Sequence, residues 1–257
     1  MVSESWWAIR CVWLRYFDVF RKNLFYGLFT TYMEPLLYLL SFGFGLGAMV
    51  GPIHSDGNTV PYRAFILGGI VAQTLLFQSF FESAYGGFVR MYYQRIFQVM
   101  AITPVTLSEV LWGELLWDAS KATFGASAVL LIGVVIGDFS PLGALASIPL
   151  CFLGGLIFAG LGLWVSAVST TIEDIAYPQY LAVFPMFLFC GIFFPLSNLP
   201  HIAQIFAWCL PLTSLLSLLR WLLLGFPFAL RAIPILLFWS TTLVLLSRRT
   251  MIRRLVK

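Results

Sequence analysis

Chemistry would be sought first in the histidines, cysteines, lysines and acids. His54 and His201 have no second imidazole, thiol or carboxylate at a spacing such as H-x-x-x-H, so no metal centre is expected. Cys11, Cys151, Cys190 and Cys209 form no C-x-x-C pair and are expected to pack as small apolar side chains. None of Lys22, Lys121 and Lys257 follows a G-x-x-x-x-G run, so this chain carries no phosphate-cradling loop and no cofactor of its own is expected. The chain is not expected to be an enzyme. If ATP drives its work, another chain hydrolyses it.

The acids gather in the stretch TPVTLSEVLWGELLWDASKATFG, where Glu109, Glu114 and Asp118 precede Lys121. A charge at membrane depth is expensive and points to function by default. Asp118 and Lys121 are three apart, on neighbouring turns of one helix face, and can pair. A structural ion pair at the cytoplasmic boundary and a proton relay are both open readings. A relay wants acids stepping through the bilayer, and the later apolar stretches have none in their cores.

The elements that hold these residues are dictated by composition. Of 257 residues, 60% are apolar, 17% aromatic and only 10% charged, with a mean hydropathy of +0.92. A soluble domain is about 25% charged because it must cover its surface with polar groups, and this chain cannot do so. The apolar residues lie in uncharged stretches near the ~20 residues that cross a bilayer as helix. An all-α polytopic membrane protein of one domain follows, embedded in a lipid bilayer. A nucleic-acid binder is excluded despite the net charge of +4, as is a secreted disulfide scaffold.

Six spans are expected, over residues 24–50, 62–83, 107–137, 142–167, 178–194 and 229–247. Residues 195–226 hold Pro195, Pro200 and Pro211, too many prolines for one continuous helix, followed by about 14 apolar residues that include Arg220 and close at Gly225. A re-entrant external region is expected there. Cytoplasmic flanks collect Lys and Arg. Arg10, Arg15, Arg21, Lys22, Arg90, Arg95, Arg248, Arg249, Arg253, Arg254 and Lys257 fall on one side, against Arg63, Arg220 and Arg231 on the other. Both termini are therefore expected in the cytoplasm.

Residues 1–23 interleave charge with aromatics and resemble no signal peptide. Ile9, Val12, Trp13, Tyr16 and Phe20 share one helix side, with Glu4, Arg10, Arg15, Asp18, Arg21 and Lys22 opposite, which predicts an amphipathic helix lying in the membrane interface. In residues 87–104, Phe88, Tyr92, Arg95 and Val99 recur at spacings of three and four, predicting a helix of about four turns parallel to the membrane. An exposed apolar helix in a cytoplasmic loop implies a partner surface, and a separate ATPase subunit is the natural partner. A purely lipid-facing role is the alternative. The rings of Tyr38, Phe42, Phe44, Phe184 and Phe187 suit sugars and acyl chains and are expected along a substrate path, although such rings also serve in packing.

Four stretches carry a family likeness: EPLLYLLSFGFGLG, ESAYGGFVRMYYQRIFQVMAITPVTLSEVLWGELLWDASKA, FPMFLFCGIFFPLSNLP and LPLTSLLSLLR. Together they resemble the permeases of type-2 ABC exporters, and among these the NodJ group, which exports lipo-oligosaccharides with the ATPase NodI. The resemblance implies two copies of this chain with two ATPase subunits that hold ATP and Mg, in a bacterial inner membrane. It implies that the interfacial helix before Leu24 and residues 87–104 meet the ATPase, the latter through Arg90, Tyr92, Arg95, Phe97, Thr103 and Pro104. It also implies that the broken stretch after Phe194 forms the external gate region; the turn that holds Pro195 and Asn198 is expected to cap the exit and Phe193 and Phe194 to narrow it, with a rigid plug as the alternative. Many relatives begin the coupling segment with an R-E-R-G-like run, whereas RMYYQR here has no Glu for an ion pair with the ATPase. The expected cargo is an amphipathic molecule such as a lipo-oligosaccharide, glycolipid or lipid-linked glycan. A drug or lipid exporter of the same family is the alternative. A proton-coupled carrier would need buried acids and an inverted repeat.

Overall fold

The computed structural model describes residues 5–55 and 58–255. Glu4, Asp56 and Lys257 lie outside them. The first helix, α1 (Trp6–Lys22), buries Ala8, Ile9, Val12 and Tyr16, the face expected from its periodicity. That face does not lie on lipid. It docks on α5 (Leu107–Ile136), where Gly113 leaves room: a Cβ there would stand 2.5 Å from Val12. Trp13 donates to Ser120 Oγ at 3.1 Å and packs edge-on against Trp117, whose ring also meets Tyr16 and Phe20.

The next helix, α2 (Leu24–Tyr38), contains Pro35, and its α geometry gives way to a π turn at Leu39–Gly45. Loss of the amide at a proline and a widened turn are companion ways of bending a helix. A two-stranded antiparallel hairpin follows, β1 (Ile53–Ser55) with β2 (Asn58–Val60), pairing Ile53 with Val60. The all-α expectation missed this strand pair because each strand has only three residues.

The bundle is built around α3 (Tyr62–Phe81), buried on every side. Through π turns at Glu82–Gly86 and Val89–Tyr93 it continues as one helical rod, Tyr62–Tyr93. This corrects the expected four-turn helix over residues 87–104. Its first half is the end of α3, the chain reverses at Arg95 with a left-handed φ of 52°, and only α4 (Ile96–Ala101) is a separate helix. Thr106 and Glu109 then form a reciprocal capping box at the start of α5. Gly137 at φ 86° ends that helix, and Ser140 with Pro141 starts α6 (Pro141–Val168). Glycines let α6 meet its neighbours backbone to backbone: a Cβ at Gly162 would lie 2.6 Å from the Phe80 carbonyl, and one at Gly155 3.0 Å from that of Ala119.

The expected fifth span is a mixture of short turns, among them α7 (Ala176–Pro178), a π turn at Gln179–Val183 and α8 (Phe184–Phe189), and it ends five residues early. Gly191, at φ 86°, turns the chain there. The proline-rich region is broken as expected: α9 (His201–Cys209) and α10 (Pro211–Leu224) meet at 88°. The last helix, α11 (Ala232–Leu255), takes the basic tail into its final turns. Among the described residues, four helices are long and apolar enough to cross a membrane, or five if the bent pair α9–α10 counts as one. The molecule is thus a helical multi-pass membrane protein.

Candidate functional site

At one end of the bundle the polar residues of α3 and α5 form a single ion cluster. Arg90 donates from Nε to Glu114 Oε1 at 2.8 Å and from Nη1 to Glu82 Oε1 at 2.9 Å, and its Nη2 lies 3.8 Å from Asp118. Lys121 donates to the other oxygen of Glu82 at 2.6 Å, and Ser83 donates to Asp118. The expected Asp118–Lys121 pair does not form. Each finds its partner on the continuation of α3 instead, Asp118 in Ser83 and Lys121 in Glu82. Glu114 and Asp118 are fully buried. The guanidinium also sits 5.3 Å from the Tyr16 ring, so one side chain ties α1, α3 and α5 together.

This placement changes the expected coupling surface. Arg90 lies inside the bundle, and Phe97 is fully buried. Tyr92, Tyr93, Arg95, Val99, Thr103 and Pro104 are exposed, with Tyr92 stacked on buried Phe88 at 5.4 Å. Arg254, from the last turn of α11, donates to the carbonyls of Ser166 and Ala167, both at 2.9 Å, and to that of Ser169. It also lies about 6 Å from the Tyr92 ring, which brings the ends of α3, α6 and α11 to one surface. Beside it, the loop after α6 is pinned by Asp174, which accepts from the Thr170 and Thr171 amides at 2.9 and 2.8 Å. The Thr170 hydroxyl, which also donates to it, together with these two amide bonds pulls its carboxyl down to about 2.

The expected path residues come together. Tyr38 stacks on Phe42 at 6.0 Å, Phe42 meets Phe193 at 5.2 Å, and Phe193 meets Phe187 at 5.2 Å. The row continues from Phe187 to Phe77 at 5.0 Å, to Phe184 at 6.0 Å and to Tyr180 at 5.4 Å. Phe193, expected at the gate, is thus a link in this aromatic row. Phe194 makes no ring contact among the described residues, Pro195 is buried and Asn198 is exposed in a 3-10 turn. Phe44 stands apart, under the Arg63 guanidinium. Sequence reasoning missed Phe77, Tyr180, Glu82 and Ser83. Glu82 lies two helical turns before Arg90, a spacing that becomes meaningful only once the intervening Gly86 and Gly87 are known to stay helical.

At the opposite end of α3, Arg63 pairs with Asp138 at 2.7 Å. Arg220 of α10 donates to the carbonyls of Gly191 and Ile192 and lies 3.6 Å from the Phe65 ring centroid. It lines a cavity of about 550 Å³ inside the α9–α10 elbow.

A family model, "ABC-2 type transporter", matches residues 8–224. The chain is 33% identical to nodulation protein J of Rhizobium leguminosarum bv. trifolii over 225 residues, 88% of this chain and 83% of that protein. It is 34% identical to nodulation protein J of Bradyrhizobium diazoefficiens over 218 residues, 85% and 80% of the two chains. The inner membrane transport permease YadH of Escherichia coli is 21% identical over 225 residues, 88% of this chain and 86% of that protein. This chain therefore belongs to the ABC-2 type transporter family, as a NodJ-like permease.

Proposed function

We propose that this chain is the permease half of an ATP-driven exporter for an amphipathic molecule with a glycan headgroup, of the lipo-oligosaccharide, glycolipid or lipid-linked glycan class. Two copies work with two separate NodI-like ATPase subunits, which hold ATP and Mg. The observation that carries the reading is the row of seven rings from Tyr38 to Tyr180 in a NodJ-like chain. Stacked faces suit sugar rings, and ring edges suit acyl chains.

In this reading the chain makes six passes of a bacterial inner membrane with both termini in the cytoplasm. Ser5 and Arg254 support the arrangement: Ser5 bonds the start of α5 and Arg254 the end of α6, which are joined by a short turn at their far ends. The exposed Tyr92, Arg95, Thr103 and Pro104 meet the ATPase, while Arg90 and Phe97 hold that surface from within. Phe193, with Phe194, Pro195 and Asn198 beyond it, closes the external end. A push on the Tyr92 surface reaches the path through α3, because Phe77 and Arg90 belong to one rod.

The test is uptake of a labelled lipo-oligosaccharide by inside-out vesicles that hold the chain and a NodI-like ATPase. Uptake is expected with ATP, is lost when the lysine of the ATPase's phosphate-cradling loop is replaced, and falls in Phe42→Ala and Phe187→Ala. Uptake driven by a proton gradient without ATP would overturn the reading.

A further inference from the structure

Glu34 is the only charged residue of α2, and its carboxylate makes no ion pair and no hydrogen bond among the described residues. It is half-buried and lines a cavity of about 260 Å³ between α2, α3 and α5, together with Thr31, Gln78, Phe81, Glu82 and Lys121. Gln78 supplies a second unanswered acceptor. Its Nε2 donates to the Thr31 carbonyl, which fixes the orientation of the amide and leaves Oε1 buried without a partner among the described residues. A buried acceptor without a donor is disfavoured and calls for one. The Lys121 ammonium donates to Glu82 at 2.6 Å and has hydrogens left to donate again. Phe81 gives the cavity an apolar wall, its ring stacked at 5.6 Å on Phe77 of the aromatic row. Tyr38, where that row begins, stands one turn along α2 from Glu34.

These walls select among occupants. An acyl chain here would desolvate Glu34 and Gln78 without giving either a donor. An anion would face the carboxylates of Glu34 and Glu82. A bare cation would face the Lys121 ammonium, and Glu82 is already answered by Lys121 and Arg90. A sugar ring fits each wall: its hydroxyls donate to Glu34 and Gln78 and accept from Lys121, and its C–H face lies on Phe81. The volume falls just under that of pockets that enclose a whole organic ligand, so the cavity takes one sugar residue and not a chain.

We propose that this cavity is a headgroup subsite, in which Glu34, Gln78 and Lys121 hold one neutral sugar ring against Phe81 while the rest of the molecule lies on the aromatic row. The subsite deepens the export function proposed above and rests on it for its link to transport. Glu34 sets the specificity, because its carboxylate makes charge-assisted bonds to neighbouring hydroxyls that an ether oxygen or a methylene cannot return. Lys121 contributes from a fixed position, since its bond to Glu82 holds it.

The test uses the full chain in nanodiscs of phosphatidylcholine, with octyl glucoside below its micellar concentration as probe, read by native mass spectrometry and by thermal shift. Wild type is expected to bind the glucoside ~10-fold or more tightly than octyl triethylene glycol ether, which has the same tail and no neighbouring hydroxyls. Glu34→Gln, a close isostere, should lose most of that preference. Glu34→Leu should lose it while melting no lower than wild type, because it removes a charge that the fold leaves unanswered. Glu173→Gln, in the exposed turn after α6, should bind as wild type. Equal affinity for glucoside and ether, or a preference that survives in both Glu34 variants, would overturn the site. Tighter binding of octylammonium than of the glucoside would overturn the sugar as occupant. ATP-driven uptake of the labelled lipo-oligosaccharide should fall in Glu34→Leu. Uptake at the wild-type rate in that variant would overturn the subsite and leave the export function standing. Preferential glucoside binding by a chain that shows no ATP-driven uptake would overturn the export function and leave the sugar site standing.

Discussion

Replacing Arg90 with Met separates two roles for the residue, a contact for the ATPase and an internal tie. In the structure Arg90 answers three carboxylates, Glu82, Glu114 and Asp118, with Lys121 as the one other cation of the cluster. Arg90→Met leaves Glu114 and Asp118, both fully buried, without their cation. Breaking a buried ion pair from one side costs about 3–5 kcal/mol, because the remaining charge stays desolvated. At ~2–4 °C per kcal/mol for a chain of this size, the melting temperature should fall by about 6–20 °C. Asp118→Asn is the control: it leaves two carboxylates facing two cations and keeps an acceptor for Ser83, so its melting temperature should stay within about 3 °C of wild type. The assay is thermal unfolding of the purified chain in detergent, followed by size-exclusion, with copurification of the ATPase measured in parallel. If Arg90→Met melted as wild type and lost only the ATPase, the internal tie would be refuted and Arg90 would be a surface contact.

Other perturbations follow from neighbouring features. Gly162→Val should destabilise by about 1–3 kcal/mol, because its Cβ would meet the Phe80 carbonyl, while Gly51→Ala, in open space, should melt as wild type. Tyr92→Ser with Tyr93→Ser should reduce copurification of the ATPase without lowering the melting temperature, since both rings are exposed. Phe193→Ala with Phe194→Ala should raise basal ATP hydrolysis or let substrate leak, whereas unchanged hydrolysis and transport in a folded double variant would make that end a rigid plug. The Asp174 carboxyl is held at about 2, below its unfolded value, so its grip on the loop is complete above about pH 4 and is lost as the pH falls through 2. Hydrogen exchange of the Thr170 and Thr171 amides should report this, and Asp174→Asn should lose most of the protection at pH 7.

The helices legible in the sequence were those whose ends carry their own signals. Thr106 with Glu109 and Ser140 with Pro141 mark starts, Gly137 and Gly225 mark ends, and the predicted bounds of α5 and α6 agree with the structure within a residue or so. Residues 87–93 were placed in a separate helix, although Gly86 and Gly87 stay helical. Their lack of side chains instead lets α3 lie close to its neighbours, with Gly87 against Leu163 and Ser166. The reversal at Arg95 carries no sequence signal, since a left-handed Arg is imposed by its surroundings. The α1 face was legible but its partner was not, because periodicity says which residues are covered and not by what. The rings of the aromatic row were legible as residue types, and their order in space was not. Phe193 links Phe42 to Phe187 across the chain, and Phe77 joins the row from a third, distant stretch.

The central position of α3 has a consequence for how the protein is made. Its main covering helices, α5, α6 and α10, lie later in the chain, so α3 leaves the ribosome before they exist to shield its Thr74, Ser79 and Ser83. At ~5–20 residues per second, α10 arrives on the order of ten seconds after α3 is complete. During that interval Glu82 and Arg90, two turns apart on the same rod, are already available to neutralise each other. Glu114, Asp118 and Lys121 arrive together on α5 and join a nucleus that is already present. The order of synthesis thus matches the order in which the charges can be neutralised.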